Sequence, residues 1–513
     1  MDRRVAQGRS PVGSPAFASS STFVSVAVGL ALVAIALVVY TVSHPYRFYD
    51  HFAWQAAAFL EGQAAIRYPV EATASYHGNA FFQDVLPVAS TDGVPRALVP
   101  FPPLPAIVLM PFVWLAAALA GGHGTGFLGV DLYPAGLSID GQLIFAVLAA
   151  LDVGLAWWVL GRLPVRPWIR FAATVFFGFG TVFWYTAQLG TTWYQAHVLA
   201  VGLALGAVGV ALGGDRTAVA AEDEPDDRVD DRPPARRPWF VPNRRQVLAG
   251  LLFGLACTSR LTVVFAAPFF VLVGAGGTWQ RRGWSAALGA GIPIGALVVY
   301  NLVTTGHILH PGYQHLYELE ATYYAPLNYH TDWAIEDIRY LPQNFAIMFL
   351  NTPVWLPNVV PSALGLGAPL CTTEGAVRGW FDFGCPLVLP RDTGMSILLT
   401  SPAYLLVVPA LRWGYGHSRL VTGAALAVLF VAIVNLAHFS QGWVQFGYRF
   451  SNDFVPWALL LVAVGFERVA RRATAPRSWP ITSRLLLVGA VVLVVLSVVV
   501  NFWGVVWGDA LGW

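Results

Sequence analysis

The apolar positions of this chain fall in long unbroken blocks. They do not follow the three-to-four spacing of a half-buried helix or the alternation of a half-buried strand. Phe23–Val42 contains no charged residue, and about 20 apolar residues of helix cross a bilayer core. Comparable blocks recur at Gly141–Leu160, Ile169–Gln188, Trp193–Leu212, Val247–Thr258, Leu261–Gly274, Ala286–Val303, Met395–Leu411, Val421–His438, Phe454–Phe466 and Leu485–Trp507. The pattern predicts an all-α polytopic membrane protein of about 11 transmembrane helices. Pro100–Gly122 is also apolar but carries five prolines. Proline interrupts a helix ladder, so this block is expected to lie in the interface or to be re-entrant.

Arginines beside the spans set the orientation. Arg3, Arg4 and Arg9 place the N-terminus in the cytoplasm, ahead of a first span too long for a cleaved signal. With Pro100–Gly122 not crossing, "GRLPVRPWIR", "WQRRGW", "RWGYGHSR" and "ERVARRATAPR" all fall on that same side. The C-terminus then ends outside. The run from Val247 to Gly274 has Arg244 and Arg245 before it and Arg281 and Arg282 after it, so it must be a hairpin with Arg260 near its outer tip. An arginine at that depth is costly unless an anion or water reaches it.

The expected organisation follows. Residues 1–22 are a cytoplasmic tail, and 23–213 an N-terminal transmembrane module with an outer loop at 44–140. Residues 214–245 are acid-rich, then Pro/Arg-rich, and are expected to be a disordered cytoplasmic linker. Residues 246–304 hold the hairpin and the next span, 305–394 a long outer loop, and 395–513 a C-terminal transmembrane module.

Composition agrees. The chain is 56% hydrophobic and only 11% charged, against roughly 25% charged in a soluble domain. All 30 basic residues are arginine. Cys371 and Cys385 share one polar loop and would form a bridge if it faces an oxidising compartment; in a reducing one they stay as thiols. No nucleotide-binding loop and no clustered metal ligands stand out, and nothing suggests a nucleic-acid partner.

Once threaded, candidate chemistry gathers on the outer face: Asp50, Asp131, Asp140, "GTTWYQAH", Arg260, "GHILHPGYQHLYELEATYY" and "QGWVQFGYRFSNDFVP". An aromatic belt accounts for most Trp and Tyr there, but it requires neither Asp50, Arg260 nor Arg449. Asp50 starts "DHFAWQAAAFLEG", with Phe52, Ala56, Phe59 and Leu60 on one helical face and Gly62 as a stop. That placement also suits an N-cap.

These segments resemble the GT-C glycosyltransferases, in the branch of protein O-mannosyltransferases and aminoarabinose transferases. The resemblance rests, in order, on an acidic residue opening a surface helix that ends in "FLEGQ", then "PFPPLPAIVLMPF", "GLLFGLACTSRLTVV", "VVYNLVTTGHILHPGY", "GMSILLTSPAYLLVVPAL" and "QFGYRFSNDFVPWALLL". It implies a GT-C-type bundle whose first outer loop carries juxtamembrane helices and the catalytic carboxylate. It implies a hexosyl- or pentosyltransferase that takes a sugar from a polyprenyl-phosphate donor in the cytoplasmic membrane. The acceptor is an envelope glycan, lipid or protein on the outer face. In this reading Asp50 is the general base of an inverting displacement. Arg260 and Arg449 bind the donor phosphate, and His51, Asp131, Tyr313 and His330 line the substrate. No cofactor is implied, and metal dependence stays open. Family members commonly carry Lys or His before the Pro-Pro pair, where this chain has Phe101. The alternative expectation is a transporter or flippase of lipid-linked sugars, which would bind phosphate without chemistry.

Overall fold

The computed structural model describes residues 15–42, 51–68, 84–90, 93–121, 132, 139–215, 238–323, 332–355, 378–440, 442, 444–474 and 480–512. Among the described residues six helices are long and apolar enough to cross a membrane: Phe23–Val42, Gly141–Leu160, Thr192–Leu212, Trp279–Thr305, Arg419–Ala437 and Arg484–Ala510. The chain is an all-α membrane protein, with two small sheets outside its long helices among the described residues.

Four of the other five apolar blocks are shorter or interrupted. Ile169–Gln188 divides into helices Pro167–Phe179 and Phe183–Leu189, parting at Gly180. Met395–Leu411 becomes Ile397–Thr400, a 3-10 turn at Pro402–Leu406, and Val407–Gly414. Pro402 has no N–H to continue the first of these. The hairpin pairs helix Arg244–Cys257 with a 3-10 turn, Leu261–Ala266, that runs into Pro268–Leu272. Helix Val455–Thr474 is full-length and ends in Arg471 and Arg472. It is buried continuously from Val455 to Ala463 and lies inside the bundle. The first and last helices instead leave Phe23, Leu30, Leu485 and Val488 exposed, as lipid-facing helices do, since acyl chains are as apolar as these side chains.

Helix Arg244–Cys257 crosses Trp279–Thr305 backbone against backbone. A Cβ at Gly250 would overlap the Ala286 carbonyl oxygen, one at Gly289 would overlap that of Val247, and one at Gly254 would lie 2.6 Å from that of Ala290. Small residues let helices approach where lipid removes the hydrophobic drive to associate. Gly250→Leu is therefore expected to cost about 1–3 kcal/mol through overpacking and to lower the thermal midpoint in detergent. Gly291→Leu, where a Cβ meets nothing within 4 Å, should not. Equal midpoints for the two variants would remove this account of the crossing.

At the arginine-rich ends, acids tie the helices together. Glu467 accepts from the Arg166 backbone N–H at 2.9 Å and from Arg471 Nε at 3.0 Å. Asp215 accepts from Arg419 Nη2 at 2.9 Å and from the Gly274 N–H at 3.0 Å. Residues 216–237, most of the expected linker, lie outside the described residues.

The opposite ends carry the loops. Helix His51–Leu60 is buried from His51 to Ala58 rather than lying half-exposed on a membrane surface. Helix Leu104–Leu119 packs on it, and its own buried stripe is Pro105, Ala106, Leu109, Val113 and Ala117. Gly62, at φ +74°, turns the chain out of the first helix. A small antiparallel sheet follows, with Arg96–Leu98 between Ile66–Arg67 and Leu86–Val88, so that Ile66 and Pro87 both pair with Ala97. The apolar pattern did not announce it, because strands this short carry no readable alternation. Residues 335–344 of the expected 305–394 loop are docked on the end of helix Arg419–Ala437. The Asp337 N–H donates to the Ala437 carbonyl at 2.7 Å and the Phe439 N–H to that of Ile335 at 2.8 Å. Tyr317, Tyr340 and Phe439 form a small core above that junction.

Candidate functional site

The helix ends opposite the arginine clusters converge on Asp453, the last residue of the turn Arg449–Asp453 ahead of helix Val455–Thr474. Its carboxylate is fully buried. Arg260 grips it with both edges of the fork, Nε to Oδ1 at 3.0 Å and Nη2 to Oδ2 at 2.9 Å. Thr262 Oγ1 donates to Oδ2 at 2.7 Å and Asn435 Nδ2 to the same oxygen at 3.3 Å. His197 Nδ1 stands 3.0 Å from Oδ1. Burial alone would raise the Asp453 pKa. The charge of Arg260, then that of His197, overturns this and holds the carboxyl well below the usual carboxylate range.

Arg449, four residues before Asp453, lies over two rings, 5.6 Å from the centroid of Tyr194 and 5.4 Å from that of Phe450. Arg260 lies over Phe450 as well, at 5.4 Å. The Arg449 Nε is buried with no hydrogen-bond partner among the described residues. Gly442 makes room for it: at φ +87° its Cβ would stand 2.8 Å from that nitrogen. Among the described residues no carboxylate is in ion-pair contact with Arg449, so its charge is not neutralised by a direct ion pair among them.

His51 and Tyr313 close the site from the loops. His51 Nδ1 is 2.9 Å from Thr192 Oγ1, and its ring packs against Phe101 and Trp193 at 6.2 and 6.0 Å. Burial pushes its pKa down to about 3, so the imidazole is neutral at physiological pH. Phe101 also meets Tyr313 edge-on at 6.4 Å. Burial pushes the Tyr313 phenol up to about 12, against the field of Arg260. Four of the residues singled out from the sequence, His51, Arg260, Tyr313 and Arg449, are thus gathered in one region. Asp50, Asp131 and His330 lie outside the described residues. Asp140 caps helix Gly141–Leu160, accepting from the Leu143 N–H at 2.8 Å.

Three residues of this region were not anticipated: Asp453, His197 and Asp84. The first two lie within segments already noted on the outer face, "QGWVQFGYRFSNDFVP" and "GTTWYQAH", and their signal was a titratable group at the mouth of a span. Asp84 Oδ2 accepts from Trp193 Nε1 at 3.1 Å. Burial pushes this carboxyl up to about 6, with the Trp193 N–H and the charge of Arg449 opposing. Cys385 is disulfide-bonded and Cys257 is free and buried; Cys371 lies outside the described residues.

Chemically, the arrangement offers a neutralised Arg260–Asp453 lock, a guanidinium on an aromatic bed with no carboxylate in ion-pair contact among the described residues, and a carboxyl tuned near neutrality. Among the described residues no three His, Cys, Asp or Glu side chains are grouped to hold a metal ion. The chain matches no family model and no curated protein.

Proposed function

We propose that the chain is a GT-C-type glycosyltransferase of about 11 crossings. It moves a sugar from a polyprenyl-phosphate donor to an envelope glycan, lipid or protein on the outer face of the cytoplasmic membrane. The observation that supports this most is Arg449, with its buried Nε unpartnered among the described residues, at the mouth of the bundle. A lipid phosphate needs a cation at the depth where a prenyl tail enters the bundle, and a guanidinium fork suits its oxygens. The leaving phosphate gains charge in the transition state, so a fixed cation stabilises that state more than the ground state. Asp50 takes the proton of the acceptor hydroxyl. Arg260, with two donors held by Asp453, shapes the wall and keeps only Nη1 for a ligand.

A second reading, a transporter of lipid-linked sugars, draws on Asp152. This carboxyl is buried in the middle of helix Gly141–Leu160, and its Oδ2 has no partner among the described residues. Carboxyls at that depth often serve ion or proton pathways.

The test uses purified protein in lipid with a panel of polyprenyl-phosphate sugars, following loss of sugar from the carrier. The wild type is expected to release sugar, and Asp50→Asn to bind donor normally but release none. Donor binding without release by the wild type, on every donor and acceptor tried, would move the transporter reading to the front. Full release by Asp50→Asn would leave the base unassigned.

A further inference from the structure

Three consecutive residues at the start of helix Thr192–Leu212 organise the polar side of the site. Thr192 holds His51, Trp193 holds Asp84, and the ring of Tyr194 lies under Arg449. Asp84 and Arg449 are therefore both anchored at the start of this helix, by neighbouring residues. Asp84 lies within the field of Arg449, yet no ion pair joins them among the described residues. Each keeps a free edge. Asp84 is half-buried, and its Oδ1 accepts no hydrogen bond among the described residues; the Arg449 Nε is buried and unpartnered. A carboxyl and a guanidinium are thus anchored on adjacent residues of one helix end, with no ion pair between them among the described residues.

We propose that Asp84 is a ligand-contacting acid–base residue of this site. When the phosphodiester of a lipid-linked sugar docks on Arg449, Asp84 takes up one proton from solvent, and the neutral carboxyl donates a hydrogen bond to the ligand through Oδ1. The inference rests on the docking part of the proposed function and not on the transfer step.

The direction of the coupling follows from charge. In the free protein, burial opposes the ionised carboxyl while the Trp193 N–H and Arg449 favour it, and the group titrates at about 6. A docked phosphodiester brings a like charge and cancels the field of Arg449, and both effects favour the protonated form. The complex then binds more protons than the free protein, so affinity must rise as pH falls toward 6. The neighbouring groups leave Asp84 as the source. His51, pushed down to about 3, stays neutral over this range, and Tyr313, pushed up to about 12, keeps its proton. Asp453 stays ionised against Arg260. Helix Gly312–Tyr323, packed on strand Leu86–Val88, also presents His315 and Glu318, and the paired strand presents Arg96. Of these, only histidine ordinarily changes charge between pH 5 and 8, so His315→Gln is the control.

The experiment measures binding of a farnesyl-phosphate sugar to the full chain in nanodiscs between pH 5.5 and 8.0. The probe is a phosphodiester and does not itself titrate in that range. For the wild type, Kd is expected to weaken about tenfold across the range, as a one-unit shift in the complex requires. Binding heats at pH 7 in two buffers of different ionisation enthalpy should differ by the heat of proton uptake, which tests the wild type without any variant. Asp84→Asn should bind tightly with a flat profile, and His315→Gln should keep the slope. A slope that persists in Asp84→Asn, or a flat wild-type profile with equal heats in both buffers, overturns the inference alone. Absence of probe binding by the wild type at every pH overturns the docking reading and this inference with it.

Discussion

Asp453→Asn is expected to lower the thermal midpoint of the solubilised protein and to abolish donor turnover. The carboxylate is the buried anion on which Arg260, Thr262 and Asn435 converge, with His197 beside it. An asparagine offers one amide oxygen and turns an NH2 toward donors, leaving the Arg260 charge without its partner. Removing one side of a buried ion pair costs about 3–5 kcal/mol, a large share of the roughly 5–15 kcal/mol that separates folded from unfolded in most domains. The double variant Arg260→Leu with Asp453→Leu separates the two consequences. Replacing both charges by apolar groups is often close to neutral, so stability should largely return while turnover stays absent. The pH dependence carries a sign. Burial would raise the Asp453 pKa, but Arg260 and then His197 hold it below the usual range. Its contribution is therefore complete above the unfolded carboxylate value and is lost as pH falls through the depressed native value. The wild-type lead over Asp453→Asn should be the same at pH 7 and pH 5 and should shrink only in strong acid. Equal midpoints for wild type and Asp453→Asn at pH 7 would show that Arg260 is not held by this carboxylate.

How far the sequence discloses this site depends on the kind of information involved. Arg260 was legible as a problem: an arginine at the tip of an apolar hairpin demands an anion. The sequence reading supplied that anion from outside, as a lipid phosphate. The structure supplies it from the chain itself, from Asp453, 193 residues away. No local pattern could have joined the two, because the contact depends on how the hairpin packs beside helices Arg419–Ala437 and Val455–Thr474. Long apolar helices such as Thr192–Leu212 were legible because a bilayer dictates their length and composition. The interrupted segments at Gly180 and Pro402 were harder, since a run that reads as one apolar block can bend wherever side chains satisfy the freed backbone groups. Helix His51–Leu60 shows a third limit. Its start and its Gly62 stop were predictable from local chemistry, but its burial comes from Leu104–Leu119, a neighbour that no single-helix pattern names.

Arg449→Ala is expected to weaken donor binding about 10- to 100-fold, with little effect on the thermal midpoint. That range corresponds to roughly 1.5–3 kcal/mol, the worth of a hydrogen bond to a charged group. Arg449 differs from Arg260 in what it already holds. Arg260 has two donors on Asp453, whereas Arg449 rests on the faces of Tyr194 and Phe450 and is in ion-pair contact with no carboxylate among the described residues. Losing it should therefore remove a ligand contact without stranding a buried carboxylate among the described residues. Arg449→Lys should recover only part of the affinity. An ammonium restores the charge but not the planar fork that can lie on two rings and still face a phosphate. Binding is read with a donor analogue at fixed pH and ionic strength, because the charge contribution is screened by salt. Suppose instead that Arg449→Ala binds like the wild type while Arg260→Ala does not. The phosphate then sits against the remaining Nη1 edge of Arg260, and Asp453 becomes a competitor for the ligand rather than a support for the wall. If both variants bind normally, neither cation receives the donor, and the reading of this end of the bundle as a phosphate site falls.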